Sequence, residues 1–314
     1  MKRPLIAAGL LLLALAGCGT EPQATAATSG TGVNTSADQH RVTTTKNDAA
    51  AALLPAKVRD RGTLVVGAGF GSGSVPLGFY ADDNLTPIGL EIDIAYLVAE
   101  ALGVRPEIEV TSWENLFVGL DSAKYDVGFS NITVTEKRKQ KYDFATYRKD
   151  DIAFEAKKGG TWRVTGGKDI AGKTIAVGSG TNQEKILVDW NEANVKAGLP
   201  AATIKYFQKN TDTYLALSSG RIDAYLGPNP SIAYHVKTSG ETETIGKFSG
   251  AGPTLQGLIA ATTKKDSGLV QAYQAAIDGV IADGSYAKVL DRWNVSNEAV
   301  TRSGINPPGL PLTS

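Results

Sequence analysis

Apolar positions along this chain keep two alternating rhythms, short β-branched runs and stretches with helical spacing. That alternation predicts an α/β architecture with parallel sheets. Thr63-Leu64-Val65-Val66-Gly67 reads as a buried strand opening into a glycine-rich loop. From about residue 93, Ile94, Leu97, Val98, Ala101 and Leu102 recur at i, i+3, i+4 spacing up to Gly103, so a helix follows. Ser112 is placed to cap the next helix, which buries Leu116, Phe117 and Leu120. A strand over residues 125–130 then delivers Asn131 to a sheet edge. A second run begins at Lys173-Thr174-Ile175-Ala176-Val177, turns through Gly178-Ser179-Gly180-Thr181, and enters a helix carrying Ile186, Leu187 and Trp190. Strands are predicted over 204–207 and 222–226, with a helix marked by Tyr214, Leu215 and Leu217 between them. Asn229-Pro230 opens another helix, and two late helices over 270–282 and 286–293 precede a Pro-rich tail.

The N-terminus departs from this rhythm. Lys2 and Arg3 precede an apolar run over 5–16, which is a signal-peptide core too short to span a bilayer. The run ends in Leu15-Ala16-Gly17-Cys18, which resembles the bacterial lipobox, whose cysteine is lipidated and becomes the new N-terminus. Cys18 is the only cysteine, so no structural disulfide is possible and acyl attachment is its expected use. Each buried acyl CH₂ adds about 0.8 kcal/mol of membrane affinity, so several chains would anchor the protein durably. The segment 19–52 is dominated by small polar residues without apolar periodicity, and a flexible tether is expected there. The expected organisation is therefore a leader over 1–17, a lipidated N-terminus and tether over 18–55, and folded lobes beyond.

Composition narrows the function. Lys+Arg 32 is balanced by Asp+Glu 32, so no basic field exists to hold nucleic acid. Two histidines and one lipidated cysteine cannot build the usual zinc clusters, and no calcium-type ligand loop is visible; no cofactor or metal is expected.

Ser130-Asn131-Ile132-Thr133-Val134-Thr135-Glu136-Lys137-Arg138, followed by Tyr142-Asp143-Phe144, resembles the signature of the polar amino-acid family of periplasmic solute-binding proteins, bacterial extracellular family 3. So do Gly180-Thr181-Asn182-Gln183-Glu184, Gly220-Arg221-Ile222-Asp223-Ala224 and Asp283-Gly284-Ser285-Tyr286 with Trp293, in the family's order from Arg61 to Val295. The resemblance implies a type II periplasmic-binding-protein fold: two lobes, each a sheet flanked by helices, joined by two hinge strands and closing on ligand like a Venus flytrap. With crossings near 152–157 and 258–263, lobe 1 would comprise 56–151 plus 258–314 and lobe 2 would comprise 152–257. Ligand would sit in the interlobe cleft.

The same resemblance implies site residues. Arg138 holds the place of the arginine that binds a ligand α-carboxylate, and a planar guanidinium can grip that group through two parallel hydrogen bonds. Thr133 would add its hydroxyl and backbone N–H, and Asn131 would contact the ligand's amino end. On the opposite lobe, Gly180, Thr181 and Asn182 open a helix whose free N–H groups suit an anion, although Thr181 or Asn182 serves equally as a helix cap. Phe70 and Trp113 match positions of aromatic pocket walls; for Trp113 a core role is an equal alternative. Two departures follow. Where family members place an acid for the α-ammonium, this chain has Pro228, and a second acid common in some members is replaced by Gly69. Asn229, Glu184 or a loop acid is a candidate substitute, and Asn229 serves equally as a helix cap before Pro230. A ligand with a carboxylate for Arg138 and an absent, substituted or aromatically held amino group is therefore expected.

The function implied is capture of an amino-acid-like, carboxylate-bearing small molecule outside the cytoplasm and delivery to an ABC permease, by a monomer held to the membrane through its N-terminal lipid. No reaction on the ligand is expected. The alternatives are a ligand-sensing lipoprotein that presents to a receptor and, on the same fold, a dehydratase of prephenate-like acids, for which no catalytic constellation can be placed by spacing.

Overall fold

The computed structural model describes residues 32–69, 75–207 and 209–312. The expected leader, the Cys18 anchor and Phe70 lie outside them. In chain order come α1 (Asp48–Ala52), α2 (Ala56–Arg61), β1 (Thr63–Gly69), the hairpin strands β2 (Phe79–Tyr80) and β3 (Pro87–Ile88), α3 (Leu90–Ala101), β4 (Arg105–Thr111), α4 (Trp113–Asp121), β5 (Val127–Gly128) and the long β6 (Tyr142–Lys157). The second lobe carries β7 (Thr174–Val177), α5 (Asn182–Lys196), β8 (Thr203–Tyr206), α6 (Asn210–Ser218), β9 (Ala224–Pro228), α7 (Asn229–Ser239) and β10 (Thr242–Ser249). The chain then returns through β11 (Gly257–Lys264) to α8 (Val270–Ala282) and α9 (Ser285–Arg292).

Local chemistry sets the element ends. Helix α3 starts before the expected residue 93 because Gly89 takes φ 125° against the Leu77 carbonyl, where a Cβ would stand 2.4 Å from the oxygen. Glu91 and Asp93 then fall in the first turn, at the positive end of the helix dipole. Ser112 caps α4 as expected, its Oγ accepting from the N–H of Asn115 at 3.2 Å.

One hydrogen-bonded path, β4-β1-β5-β11-β6-β9-β7-β8, runs through both lobes. In the first, β1 lies parallel to β4 and β5, and β11 is antiparallel to β6. In the second, β7 lies parallel to β8 and β9, while β9 and β10 are antiparallel to β6. Strand β6 is common to both, pairing with β11 over 142–150 and with β10 from Asp151 onward. The chain therefore changes lobes at Asp150 and Asp151 and returns between Ser249 and Gly257. Both crossings lie upstream of the expected 152–157 and 258–263, which are instead paired within a lobe.

The first core gathers around α3, whose Leu90, Ile94, Leu97 and Val98 meet Tyr273, Ile277, Val289 and Trp293. The second gathers around Ile152, Phe154, Ile175, Val177 and Leu187, and Leu310 of the C-terminal tail reaches into it.

The tether expectation is corrected for residues 32–54. Val33, Ala50 and Leu54 are buried in the first core. The N–H of Asn47 donates to the Ala101 carbonyl at 2.8 Å, and Arg41 pairs with buried Asp93 at 3.0 Å. A segment without periodicity of its own is ordered here because it covers apolar surface on α3 and α8 and supplies a counter-charge to a carboxylate already buried there. Local pattern carries no trace of either.

Candidate functional site

The lobes enclose a cleft of about 220 Å³. Trp113, Phe129, Ser130 and Asn131 face it from the first lobe, and Gln183, Tyr206, Tyr225 and Pro228 from the second. Among the described lining residues, Glu91 and Glu114 are the only charged side chains. The described lining therefore presents aromatic faces and acid.

Beneath its first-lobe wall lies a fully buried ionic cluster. Arg148 of β6 donates Nη2 to Glu91 Oε1 at 3.2 Å and to Asn131 Oδ1, and Nη1 to Glu298 Oε2. Tyr147 donates its hydroxyl to Glu91 Oε2, and the backbone N–H of Asn131 donates to the same oxygen at 2.9 Å. Asn131 adopts φ 51°, a left-handed conformation that asparagine tolerates, which turns both its backbone and its side chain to this cluster. Burial works against the Arg148 charge, but Glu298 and Glu91 together hold the guanidinium above the usual arginine range. Burial raises the Glu298 carboxyl, with Arg148 opposing, and pushes the Tyr147 phenol well above its ordinary value.

A second cluster joins the lobes. Thr133 donates its hydroxyl to Asp150 Oδ2 at 2.8 Å, and Asn182 donates Nδ2 to the same oxygen at 2.9 Å and to the Gly250 carbonyl at 2.9 Å. Burial raises the Asp150 carboxyl, opposed by the Thr133 hydrogen bond and by Arg148. Arg138 donates Nη1 to the Thr133 carbonyl at 2.9 Å and Nη2 to the Gly180 carbonyl at 3.1 Å, with its guanidinium 5.1 Å from the Trp113 ring centroid. Burial pulls Arg138 down to about 10, which leaves it protonated at neutral pH.

The structure thus brings Trp113, Asn131, Thr181 and Asn182 to the cleft lining. Thr181 is also the cap of α5, its Oγ accepting from the N–H of Glu184 at 3.1 Å. Thr133 is fully buried behind the lining, while Arg138 and Gly180 line a neighbouring cavity with Phe117 and Leu310, where Lys137, Lys141 and Lys185 also lie. Asn229 does not reach the cleft. It heads α7 and donates Nδ2 to Glu298 Oε1 at 3.0 Å on the other side of the cluster. Pro228, which precedes it and ends β9, turns the chain away there.

Glu91, Arg148, Asp150 and Glu298 were missed by the sequence reading. One signal was present: Arg148, Asp150, Ile152 and Phe154 alternate along β6, so two charges share a face with two core apolar residues.

Two α/β lobes joined at a narrow crossing, with a small cleft walled by both, form the architecture of a two-lobed solute-binding protein. The chain belongs to the bacterial extracellular solute-binding proteins, family 3, which match it over residues 66–296; the family resemblance and the two-lobed fold are thereby borne out. It is similar to the L-cystine-binding protein TcyJ of Escherichia coli strain K12, 30% identical over 238 residues, which is 76% of this chain and 84% of that protein. Among solved structures it is similar to an ancestral arginine-binding protein bound to arginine, with TM-score 0.64 and 27% identity over 74% of this chain and 98% of that one. It is also similar to an ancestral amino acid-binding protein described as a precursor of cyclohexadienyl dehydratase, with TM-score 0.62 and 26% identity over 76% of this chain and 97% of that one.

Proposed function

We propose that this protein captures a small amino-acid-like solute bearing a cationic group and delivers it to an ABC importer, without reaction on the solute. The observation that carries the reading is the cleft lining, several aromatic rings with Glu114 and, at the wall, Glu91, and no basic side chain among the described lining residues. An amine or guanidinium over an aromatic face gains about 0.5–2 kcal/mol, and a nearby carboxylate adds to it. At about 220 Å³ the space is smaller than the roughly 300–1,000 Å³ of drug-sized sites, which suits a single amino-acid-sized molecule. Relatives named for arginine and L-cystine are in keeping with this, since both solutes carry amino groups. The expectation of a ligand whose amino group is absent, substituted or aromatically held rested on the acids absent at positions 69 and 228; an amine held over the aromatic lining keeps to it, with Glu114 of α4 and, at the wall, Glu91 of α3 as nearby acid. Both oxygens of Glu91 are already bonded, to Arg148, Tyr147 and Asn131, which leaves neither free to act on a bound solute and favours binding over dehydration. The proposed lobes are 56–151 plus 258–314, on which the arm over 32–54 packs, and 152–257.

A thermal-shift panel of free amino acids, including L-arginine and L-cystine, tests the reading. A solute present at a hundred times its dissociation constant should stabilise the folded chain by about 2.7 kcal/mol and be recovered unchanged. If no cationic or amino-bearing solute moves the midpoint, capture of this class is wrong.

The location proposed is the outer face of the cell membrane, with Cys18 as the lipid attachment point. Cys18→Ser should then release the protein into the soluble fraction, since one thiol is the only attachment site. Unchanged membrane fractionation of that variant would remove the anchor from the reading.

A further inference from the structure

The segment after α9 runs back along the first lobe before it meets the second. The N–H of Thr146 donates to the Gly304 carbonyl at 3.1 Å and the N–H of Asn306 to the Phe144 carbonyl at 3.0 Å, so residues 304–306 lie beside β6. Further on, the N–H of Leu310 donates to the Val134 carbonyl at 3.2 Å, and the N–H of Glu136 to the Leu310 carbonyl at 2.9 Å. The N–H of Gly309 donates to Glu136 Oε1 at 3.0 Å. Residues 134–136 are themselves fixed to the first lobe, since the N–H of Val134 donates to the Leu258 carbonyl of β11 at 2.9 Å. Gly309 is needed for this close approach: a Cβ there would stand 2.3 Å from the Val134 oxygen. The backbone of 309–310 is thus bonded to the first lobe, but the Leu310 side chain is 4% exposed and buried in the second core with Val177, Leu187 and Ala251. Its Cδ1 lies 3.9 Å from where a Cβ of Gly252 would be, on the stretch by which the chain returns between the lobes.

We propose that Gly309 and Leu310 form a strap, a third link between the lobes beside the two chain crossings, which sets the angle at which the lobes meet. A hinge of a few residues leaves rotation soft. A side chain anchored through its backbone in one lobe and buried in the other resists that rotation, because separating the lobes returns apolar surface to water. The same stretch of the first lobe carries Arg138, whose Nη2 donates to the Gly180 carbonyl of the second lobe at 3.1 Å, and Arg138 and Leu310 line one cavity. Opening therefore withdraws Leu310 from its seat and breaks the Arg138 contact together, and the seated strap favours the narrow cleft. It does so whichever solute enters.

The test is small-angle scattering of the solute-free folded chain as wild type, Leu310→Ala and Gly309→Ala, with folding checked by circular dichroism. Leu310→Ala empties the seat, whereas Gly309→Ala keeps the leucine and pushes its backbone off Val134. Both variants should show a larger radius of gyration than the wild type, and Leu310→Met, which refills the seat, should return toward the wild-type value. Hydrogen exchange on the same proteins separates a strap from an ordinary core residue. Amides of 134–136 and 250–256 should exchange at least about tenfold faster in Leu310→Ala, while those of β1 and β7 keep their protection. Leu310→Val, one methylene shorter, carries the same test should Leu310→Ala not fold. Superimposable scattering profiles for the folded variants overturn the proposal, as does exchange that rises evenly through both lobes.

Discussion

Arg148→Met should destabilise the protein by about 3–5 kcal/mol, the cost of removing one partner from a buried ion cluster. Arg148 and Glu298 are each 0% exposed and Glu91 is 2% exposed. One guanidinium serves both carboxylates and the Asn131 amide. Without it, Glu91 and Glu298 are left buried without their shared counter-charge, and Asn131 loses the side-chain partner that holds it at the cleft wall. The substitution is close in length, so little of the loss is packing. Replacing Arg148, Glu91 and Glu298 together by apolar residues of similar volume should recover most of the stability, because the desolvation of all three charges is then relieved. Guanidinium-chloride unfolding of the single and triple variants checks both halves. A single-variant loss below about 1 kcal/mol would mean that the cluster is hydrated.

Trp293→Ala should cost a similar amount, about 3–5 kcal/mol, for a different reason. The indole is 1% exposed and stands edge-on to Phe79, with ring centroids 6.0 Å apart at 89°. Its Nε1 donates to Asp93 Oδ2 at 2.8 Å. Truncation therefore opens a cavity and withdraws a donor from a carboxylate whose pKa burial already raises. Trp293→Phe fills most of the cavity without restoring the donor and should cost appreciably less. Asp93 is also held by Arg41, so Trp293→Ala and Arg41→Ala should be non-additive in a double-mutant cycle measured by urea unfolding. Additive losses would show that the N-terminal arm and Trp293 act on separate structures.

Those two sites also mark the limit of what the amino-acid order reveals. Elements that depend on neighbours in the chain were legible: β1 from its β-branched run, α4 from Ser112 and its apolar spacing, and α5 from the glycine turn that leads into Thr181. The family signatures were legible because they are contiguous. What escaped depends on distant partners. Arg148 meets Glu91 across 57 positions and Glu298 across 150, and periodicity reports which face is buried without saying which buried charge meets which. The arm over 32–54 escaped for the same reason, since its order comes from surfaces on α3 and α8. Asn229 was expected at the cleft because it follows the Gly-Arg-x-Asp-Ala strand closely, yet Pro228 redirects it to Glu298.

The shared strand β6 makes the lobes unequal in how they can assemble. Asp150 and Gly257 face each other on one ladder, so the second lobe leaves and rejoins the first at neighbouring points. Topologically it is a contiguous insertion, and to the first lobe it is a loop that β6 and β11 close. The entropy of closing such a loop rises only with the logarithm of its length, about 0.6 kcal/mol for each doubling. The first lobe can therefore hold its long-range β6–β11 pairing while the insertion is still a flexible chain. The insertion has the complementary advantage that all its strands are consecutive apart from the end of β6 on which it is templated. A chain that is discontinuous in sequence can in this way mature as two separate cooperative units, joined through a strand that belongs to both.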